Sequence, residues 1–203
     1  MHDFLLLVGG FALTTVAGGL LGYWLQGRAW RHQEHNRLRQ AQIDAARSFY
    51  EELSRLLDRR LHRMRQLDAR LDEPPQADDI DRLLGRYRDV LDEWNDNLNR
   101  NLALGLSYFG PEVHAALQAL YEDFSQAGRL IEARVREYRT SERASSPAVT
   151  GRLRGLDLLI FDLNLALLEA LQHESVGRDT DPNEGLEPTG SAAERLSRRL
   201  AER

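Results

Sequence analysis

The chain has 203 residues, of which 42% are hydrophobic and 29% charged, and its formal net charge is −5. This acidic balance argues against a dedicated nucleic-acid binder, which would need a basic surface, so we expect no nucleic-acid partner. Cysteine is absent, which excludes disulfides, thiol nucleophiles and thiolate metal sites.

The first predicted element is a membrane anchor at residues 1–27, built on the uncharged run of residues 4–25. At about 1.5 Å per residue, a helix of this length spans roughly 33 Å, enough to cross the hydrocarbon core of a bilayer. A cleaved signal peptide is the alternative, but the charge ahead of the run is the acidic Asp3 and no small-residue cleavage site follows. We therefore expect one transmembrane helix in contact with the lipid bilayer.

Charged and aromatic residues beside the anchor predict its orientation. Four arginines follow it closely against a single glutamate, whereas the N-terminal side has only Asp3. The positive-inside rule therefore predicts a plasma (inner) membrane protein with its N-terminus outside and its soluble domain in the cytoplasm. Because aromatic side chains prefer the headgroup layer, we expect Tyr23, Trp24 and Trp30 to lie at the membrane interface.

Small residues recur every four positions within the anchor, at Gly10, Thr14, Gly18 and Gly22. A helix face without large side chains allows a second helix to approach closely and gain dispersion contacts. Glycine and threonine are also common in membrane helices without this role. The register of four positions nevertheless favours a homodimer that forms through the anchor.

The soluble part begins with residues 28–42, which are polar on all sides and are predicted to be a helical stalk. Residues 43–176 then contain four segments with apolar residues every three or four positions, the spacing of one helix face. Breaks at Pro74, Gly110 and Pro147 separate these segments. The sequence therefore predicts an all-α protein whose soluble domain is an antiparallel four-helix bundle with up-down-up-down topology.

The predicted core consists of the apolar face of each segment. In the first and second segments it is formed by Ala46, Phe49, Leu53, Leu57, Leu61, Met64, Leu67, Leu71, Ile80, Leu84, Tyr87, Leu91, Trp94, Leu98 and Leu102. In the third and fourth segments it is formed by Leu117, Leu120, Tyr121, Phe124, Ile131, Val135, Tyr138, Leu153, Leu156, Ile160, Leu163, Leu167 and Leu171. Leu159, Phe161 and Leu168 widen the apolar face of the fourth segment, which we expect to be the most buried helix.

Charge supports adjacent packing of the first two helices. Residues 28–72 hold eleven arginines and seven acidic residues, net +4, whereas residues 73–99 hold eight acidic residues and three arginines, net −5. Opposite net charges favour neighbouring positions in the bundle.

Residues 177–203 differ in composition from the bundle. Residues 177–190 are rich in Asp, Glu, Pro, Gly and Thr and are predicted to be a disordered linker, since they bury too little apolar surface. Leu196 and Leu200 then lie among arginines, which predicts a short basic amphipathic tail. This tail could contact anionic lipid or remain a frayed, soluble end.

One stretch of the predicted second helix is unusually polar, with four asparagines within seven residues. We consider a ligand pocket formed by Asn97 and Asn101 with Asp162 and Asn164 of the fourth segment. The alternative is structural: a buried asparagine fixes the register of the helices, and its polar neighbours are solvated.

Signatures of chemistry are missing from the sequence. No histidine follows an acidic residue by three positions, and the chain has no phosphate-binding glycine loop or catalytic serine elbow. We therefore expect no metal, no cofactor and no enzymatic activity. The leading hypothesis is a membrane-anchored scaffold or interaction module with a cytoplasmic protein partner. The alternative is a small-molecule-sensing bundle that uses the four polar residues above.

Overall fold

The computed structural model describes the backbone of residues 2–73, 77–141, 147–173, 176 and 192–201. It describes the side chains of residues 33–73, 78–140, 148–173, 176 and 195–201. Every element in these segments is an α-helix, which confirms the predicted all-α class. The chain divides into two compact units, Met1–Asp44 and Ala45–Arg203.

The first unit belongs to helix α1, His2–Arg70. Side chains from 33 to 42 are exposed, in agreement with their polar character, and the Gln40 amide donates to the Asp44 carboxylate at 3.1 Å. The anchor residues predicted to self-associate or to lie at the membrane interface are not among those whose side chains the structure describes: Gly10, Thr14, Gly18, Gly22, Tyr23, Trp24 and Trp30. Within the residues whose side chains are described, no helical stretch is long and apolar enough to span a bilayer.

The second unit contains the rest of α1 and three further helices: α2 (Ala77–Ser141), α3 (Pro147–Gln172) and α4 (Ala192–Ala201). Helix α2 is interrupted at Gly110, whose φ of 83° and ψ of −175° are not helical. Glycine adopts this positive φ without the steric cost that a side chain would bring. Gly110 therefore divides α2 into a first arm, residues 77–109, and a second arm, residues 111–141.

Helix α1 and the first arm of α2 run in opposite directions. Glu52 pairs with Arg100 at 3.0 Å, and further along α1 Arg59 pairs with Glu93. The residue number rises on one helix while it falls on the other, which defines antiparallel neighbours. These pairs join a basic helix to an acidic one, as the charge count predicts.

The two arms of α2 form an antiparallel hairpin around Gly110. The rings of Trp94 and Phe124 lie 6.1 Å apart between centroids, and Asp81 pairs with Arg139 near the open end of the hairpin. Because the chain reverses direction at Gly110, α2 contributes two separate helices to the bundle.

Helix α3 also runs antiparallel to α1. Arg65 of α1 pairs with Asp157 of α3 at 3.1 Å, and the Thr150 hydroxyl donates to the Asp68 carboxylate at 3.4 Å. Helix α1, the two arms of α2, and α3 together form the four-helix bundle that the sequence predicts. Helix α4 packs against α2 and α3.

Most predicted core residues are buried, which confirms the assigned helix faces. The exceptions are Tyr121, which is exposed, and three leucines toward the end of the first arm, which are half-buried: Leu91, Leu98 and Leu102. In helix α3, the predicted fourth segment, Leu159 is buried as expected. Phe161 and Leu168, which were expected to widen the buried face, are instead exposed together with Leu158.

Candidate functional site

An arginine lies in the middle of the apolar core. Arg60 of α1 is only 1% exposed, and its guanidinium carbon lies 4.4 Å from the ring centroid of Phe124 and 5.3 Å from that of Trp94. Among the described residues, its Nε and Nη1 atoms have no hydrogen-bond partner. The two rings of α2 therefore provide cation–π contacts in place of a carboxylate.

Burial shifts the pKa values of Arg60 and of its neighbour Tyr87. Desolvation lowers the pKa of Arg60 below its ordinary value, and the nearby Tyr87 partly opposes this change. Desolvation raises the pKa of Tyr87, and the charge of Arg60 acts in the opposite direction. Gly128 makes room for this tyrosine, because a Cβ atom there would lie 2.7 Å from the Tyr87 hydroxyl. The cluster is therefore closely packed around two buried polar side chains.

A second buried arginine joins α1 to the second arm of α2. Arg134 is 3% exposed and forms ion pairs with Asp68 and Asp72, and its guanidinium also donates to the Asp68 carbonyl at 3.1 Å. Together with the contact between Arg60 and Phe124, this pairing shows that α1 and the second arm run parallel, as diagonal helices of the bundle do.

A cleft of about 310 Å³ opens beside this ion cluster, between α1 and α3. It is lined by Arg65, Asp68, Ala69, Asp72, Thr150, Leu153 and Arg154. Its acidic residues are engaged with Arg134 or Thr150, and Arg65 pairs with Asp157. In the described part of the chain, no group of three or more His, Asp or Glu side chains could hold a metal ion.

The four polar residues predicted to form a pocket have different surroundings. Asn97 is half-buried and donates to the Glu93 carbonyl of its own helix at 2.9 Å, whereas Asn101 is buried. Asp162 is buried beneath an arginine of α4. The Asn164 side-chain oxygen is buried without a hydrogen-bond partner among the described residues. In that part of the chain, no hydrogen bond joins the two asparagines of α2 to the two polar residues of α3.

The outer face of α3 carries an exposed apolar surface. Leu158 is 42% exposed, Phe161 63% and Leu168 38%. Positions that differ by three or seven residues lie on the same side of a helix, so these three side chains form one stripe. Half-buried Leu165 lies between them and packs on the core. We call the surface formed by Leu158, Phe161 and Leu168 the α3 stripe.

Helix α4 packs beside the α3 stripe and leaves the three stripe side chains exposed. Leu196 is fully buried, and Leu200 packs on the same core. Arg199 pairs with the buried Asp162, and Arg195 lies 3.8 Å from Glu169. The tail helix predicted from the sequence is therefore docked on the bundle in this structure.

Neither buried arginine was predicted from the sequence. Arg60 lies three residues after Leu57 and four before Met64, and Arg134 lies three residues after Ile131, so both fall on apolar faces. A charged residue at a core position of a helical repeat was the signal that would have identified them.

No family model matches the chain, and no curated protein or solved structure matches it.

Proposed function

We propose that this chain is a membrane-anchored, non-enzymatic interaction module whose bundle binds a helix of a cytoplasmic protein through the α3 stripe. The exposure of Leu158, Phe161 and Leu168 on one helix face is the observation that supports this proposal. Large apolar side chains that are exposed singly are common on protein surfaces, but a contiguous group indicates an interaction site.

The spacing of the stripe suits a helical partner. Apolar residues separated by three or seven positions form the face that one amphipathic helix presents to another. Burying a side chain such as Phe161 is worth about 1.5–3 kcal/mol, and three adjacent side chains supply the apolar centre of an interface. The partner helix is therefore expected to present its own apolar face, with polar residues at the edges.

The membrane part of the proposal rests on residues 4–25. Their length and lack of charge support an anchor, the arginines that follow support a cytoplasmic bundle, and the small residues support a homodimer. The small-molecule alternative gains no support from the contacts of Asn97 and Asp162, which involve other residues.

Site-specific photocrosslinking in cells tests the α3 stripe. A photoreactive phenylalanine analogue in place of Leu168 should form an adduct with a partner protein, and Phe161→Glu should remove that adduct. The matched control places the same analogue at Leu106, which is 47% exposed on α2 outside the stripe. Equal adducts from both positions, or an adduct that survives Phe161→Glu, would exclude the stripe as the docking surface.

A further inference from the structure

The surface beneath α4 has the form of a helix-binding groove. Helix α4 contacts both α2 and α3, and Leu196 is completely buried there. Leu200, four residues further along, lies on the same side of α4 and packs on the same core. The floor of the groove is therefore apolar and accepts two leucines one helical turn apart.

Acidic residues of α3 give the groove its charge preference. Arg199 pairs with Asp162 and Arg195 with Glu169, so α4 runs antiparallel to α3. Asp162 is only 4% exposed, and a buried carboxylate requires a cation or strong hydrogen-bond donors. A helix that enters this groove must therefore place arginine beside its apolar face.

The contacts of α4 are those of an exchangeable element. Helix α4 has ten residues, fewer than the roughly 12–15 that an isolated helix needs in water, so its helical state depends on docking. The side chains of Arg195 and Glu169 are 47% and 32% exposed, so their ion pair contributes little. Arg199 pairs with the buried Asp162, and a partner helix with arginine at the same position would make that pair equally well. A partner helix with the same pattern and a longer apolar face would bind the groove more tightly than α4 does.

We infer that the groove on α2 and α3 is a docking site for a basic amphipathic helix of a partner protein, with α4 as its competing intramolecular ligand. This inference deepens the proposed function, because the groove lies on α3 beside the α3 stripe, and it adds a regulated second contact. Tethering gives α4 an effective concentration on the order of millimolar, so weak foreign helices are excluded and strong ones displace it.

A peptide-binding experiment on the full-length protein tests the groove. The double variant Leu196→Ser/Arg199→Glu should release α4 while it leaves the groove intact. A fluorescent synthetic peptide with the sequence of residues 191–203 should bind this variant in an anisotropy titration. The wild-type protein should bind the peptide at least about tenfold more weakly, because its own α4 competes for the groove.

Charge exchange provides the control for specificity. In a released variant that carries Leu196→Ser/Leu200→Ser, and so keeps Arg199 in its own α4, Asp162→Arg should abolish binding of the wild-type peptide and permit binding of a peptide that carries Arg199→Glu. If Asp162→Arg unfolds the protein, Glu169→Arg with a peptide that carries Arg195→Glu makes the same test at the rim of the groove. A peptide with serine at both leucine positions should not bind.

The inference would be overturned if the peptide did not bind the released variant, or if it bound the released and wild-type proteins equally. It would also be overturned if neither charge reversal changed the affinity of the peptide. These outcomes are separate from a failure of the α3 stripe. Phe161→Glu alters the stripe but not the groove, so it should leave peptide binding to the released variant unchanged.

Discussion

At the scale of single residues, the most consequential position is Arg60. Its two aromatic neighbours supply cation–π attraction of about 2 kcal/mol each, and Tyr87 adds a side-chain hydrogen bond, whereas removing an ion from water costs several kcal/mol even after relaxation. Its Nε and Nη1 atoms lack hydrogen-bond partners among the described residues. Desolvation is the largest influence on the pKa of Arg60, so we expect its cost to exceed the attraction and Arg60 to lower the stability of the bundle relative to an apolar residue of similar length.

We expect Arg60→Met to raise the free energy of unfolding by about 1–4 kcal/mol, because methionine fills the site without a charge to desolvate. Chemical denaturation of the detergent-solubilised protein measures this change. Arg60→Ala is the control for volume: it removes the same charge but leaves a cavity, so it should be less stable than Arg60→Met. A methionine variant that is less stable than wild type would show that the aromatic contacts outweigh desolvation.

The raised pKa of Tyr87 predicts that the protein loses stability in alkaline solution. Its pKa is raised in the folded protein, so the unfolded chain loses the phenolic proton first as the pH rises. The stability that this tyrosine contributes is therefore complete below about pH 10 and is lost as the pH rises toward the folded-state pKa. Unfolding free energies measured between pH 9 and 11 should fall less steeply for Tyr87→Phe than for wild type. Identical slopes would contradict the assigned burial.

At the scale of helices, the hairpin of α2 depends on close approach of its two arms. Gly128 of the second arm faces Tyr87 of the first, with no room for a Cβ atom. In an exposed helix position, Gly→Ala usually stabilises by about 0.5–1 kcal/mol through backbone entropy. At Gly128 the clash should outweigh this gain.

We expect Gly128→Ala to destabilise the protein by about 1–3 kcal/mol, the usual cost of overpacking a core. Gly155→Ala is the matched control, because nothing lies within 4 Å of a Cβ atom at that helical position, and it should stabilise slightly. In the Gly128→Ala background, Tyr87→Phe should recover part of the loss by removing the hydroxyl. Additive effects in this double-mutant cycle would mean that the two residues do not clash.

At the scale of the whole molecule, the bundle that we propose to be membrane-attached has two neighbouring surfaces that share α3. The α3 stripe is exposed, and the adjacent groove is occupied by α4. A partner with two helices, or with one helix and a flanking apolar segment, could use both surfaces. The proposed anchor limits such partners to those that reach the cytoplasmic face of the membrane.

The predicted orientation has a direct test. A reporter fused after Arg203 should be active only in the form that reports a cytoplasmic location, because the arginines that follow the anchor favour that side. Moving these positive charges to the N-terminal side of the anchor is the control and should weaken or invert the signal. A periplasmic signal from the unaltered chain would overturn both the orientation and the cytoplasmic partner.

Anchor-driven dimerisation should depend on the small residues. Replacing Gly18 and Gly22 by isoleucine keeps the segment apolar and long enough to insert but prevents close backbone approach. Cross-linking in membranes should then shift from dimer toward monomer. The same change at Leu20 and Leu21, outside the small-residue register, should preserve the dimer. A dimer that survives the glycine replacements would place association in the helical domain.

The sequence by itself determined the helices and their breaks. The three-to-four residue spacing of apolar positions predicts the faces that contain Leu57, Trp94 and Phe124, and proline and glycine predict where helices end. These features depend on neighbouring residues along the chain, so they can be predicted without a structure. The four-helix bundle follows because each apolar face must be buried against another.

Only the tertiary structure decided what each face meets. A sequence pattern shows that Phe161 lies on an apolar helix, but not that its side chain is exposed in the folded bundle. It does not show that Arg60 enters the core between two rings, or that Arg199 of α4 reaches Asp162. Exposure, charge pairing and docking depend on residues that are distant in the chain. Folding brings them together, and periodicity describes only one helix at a time.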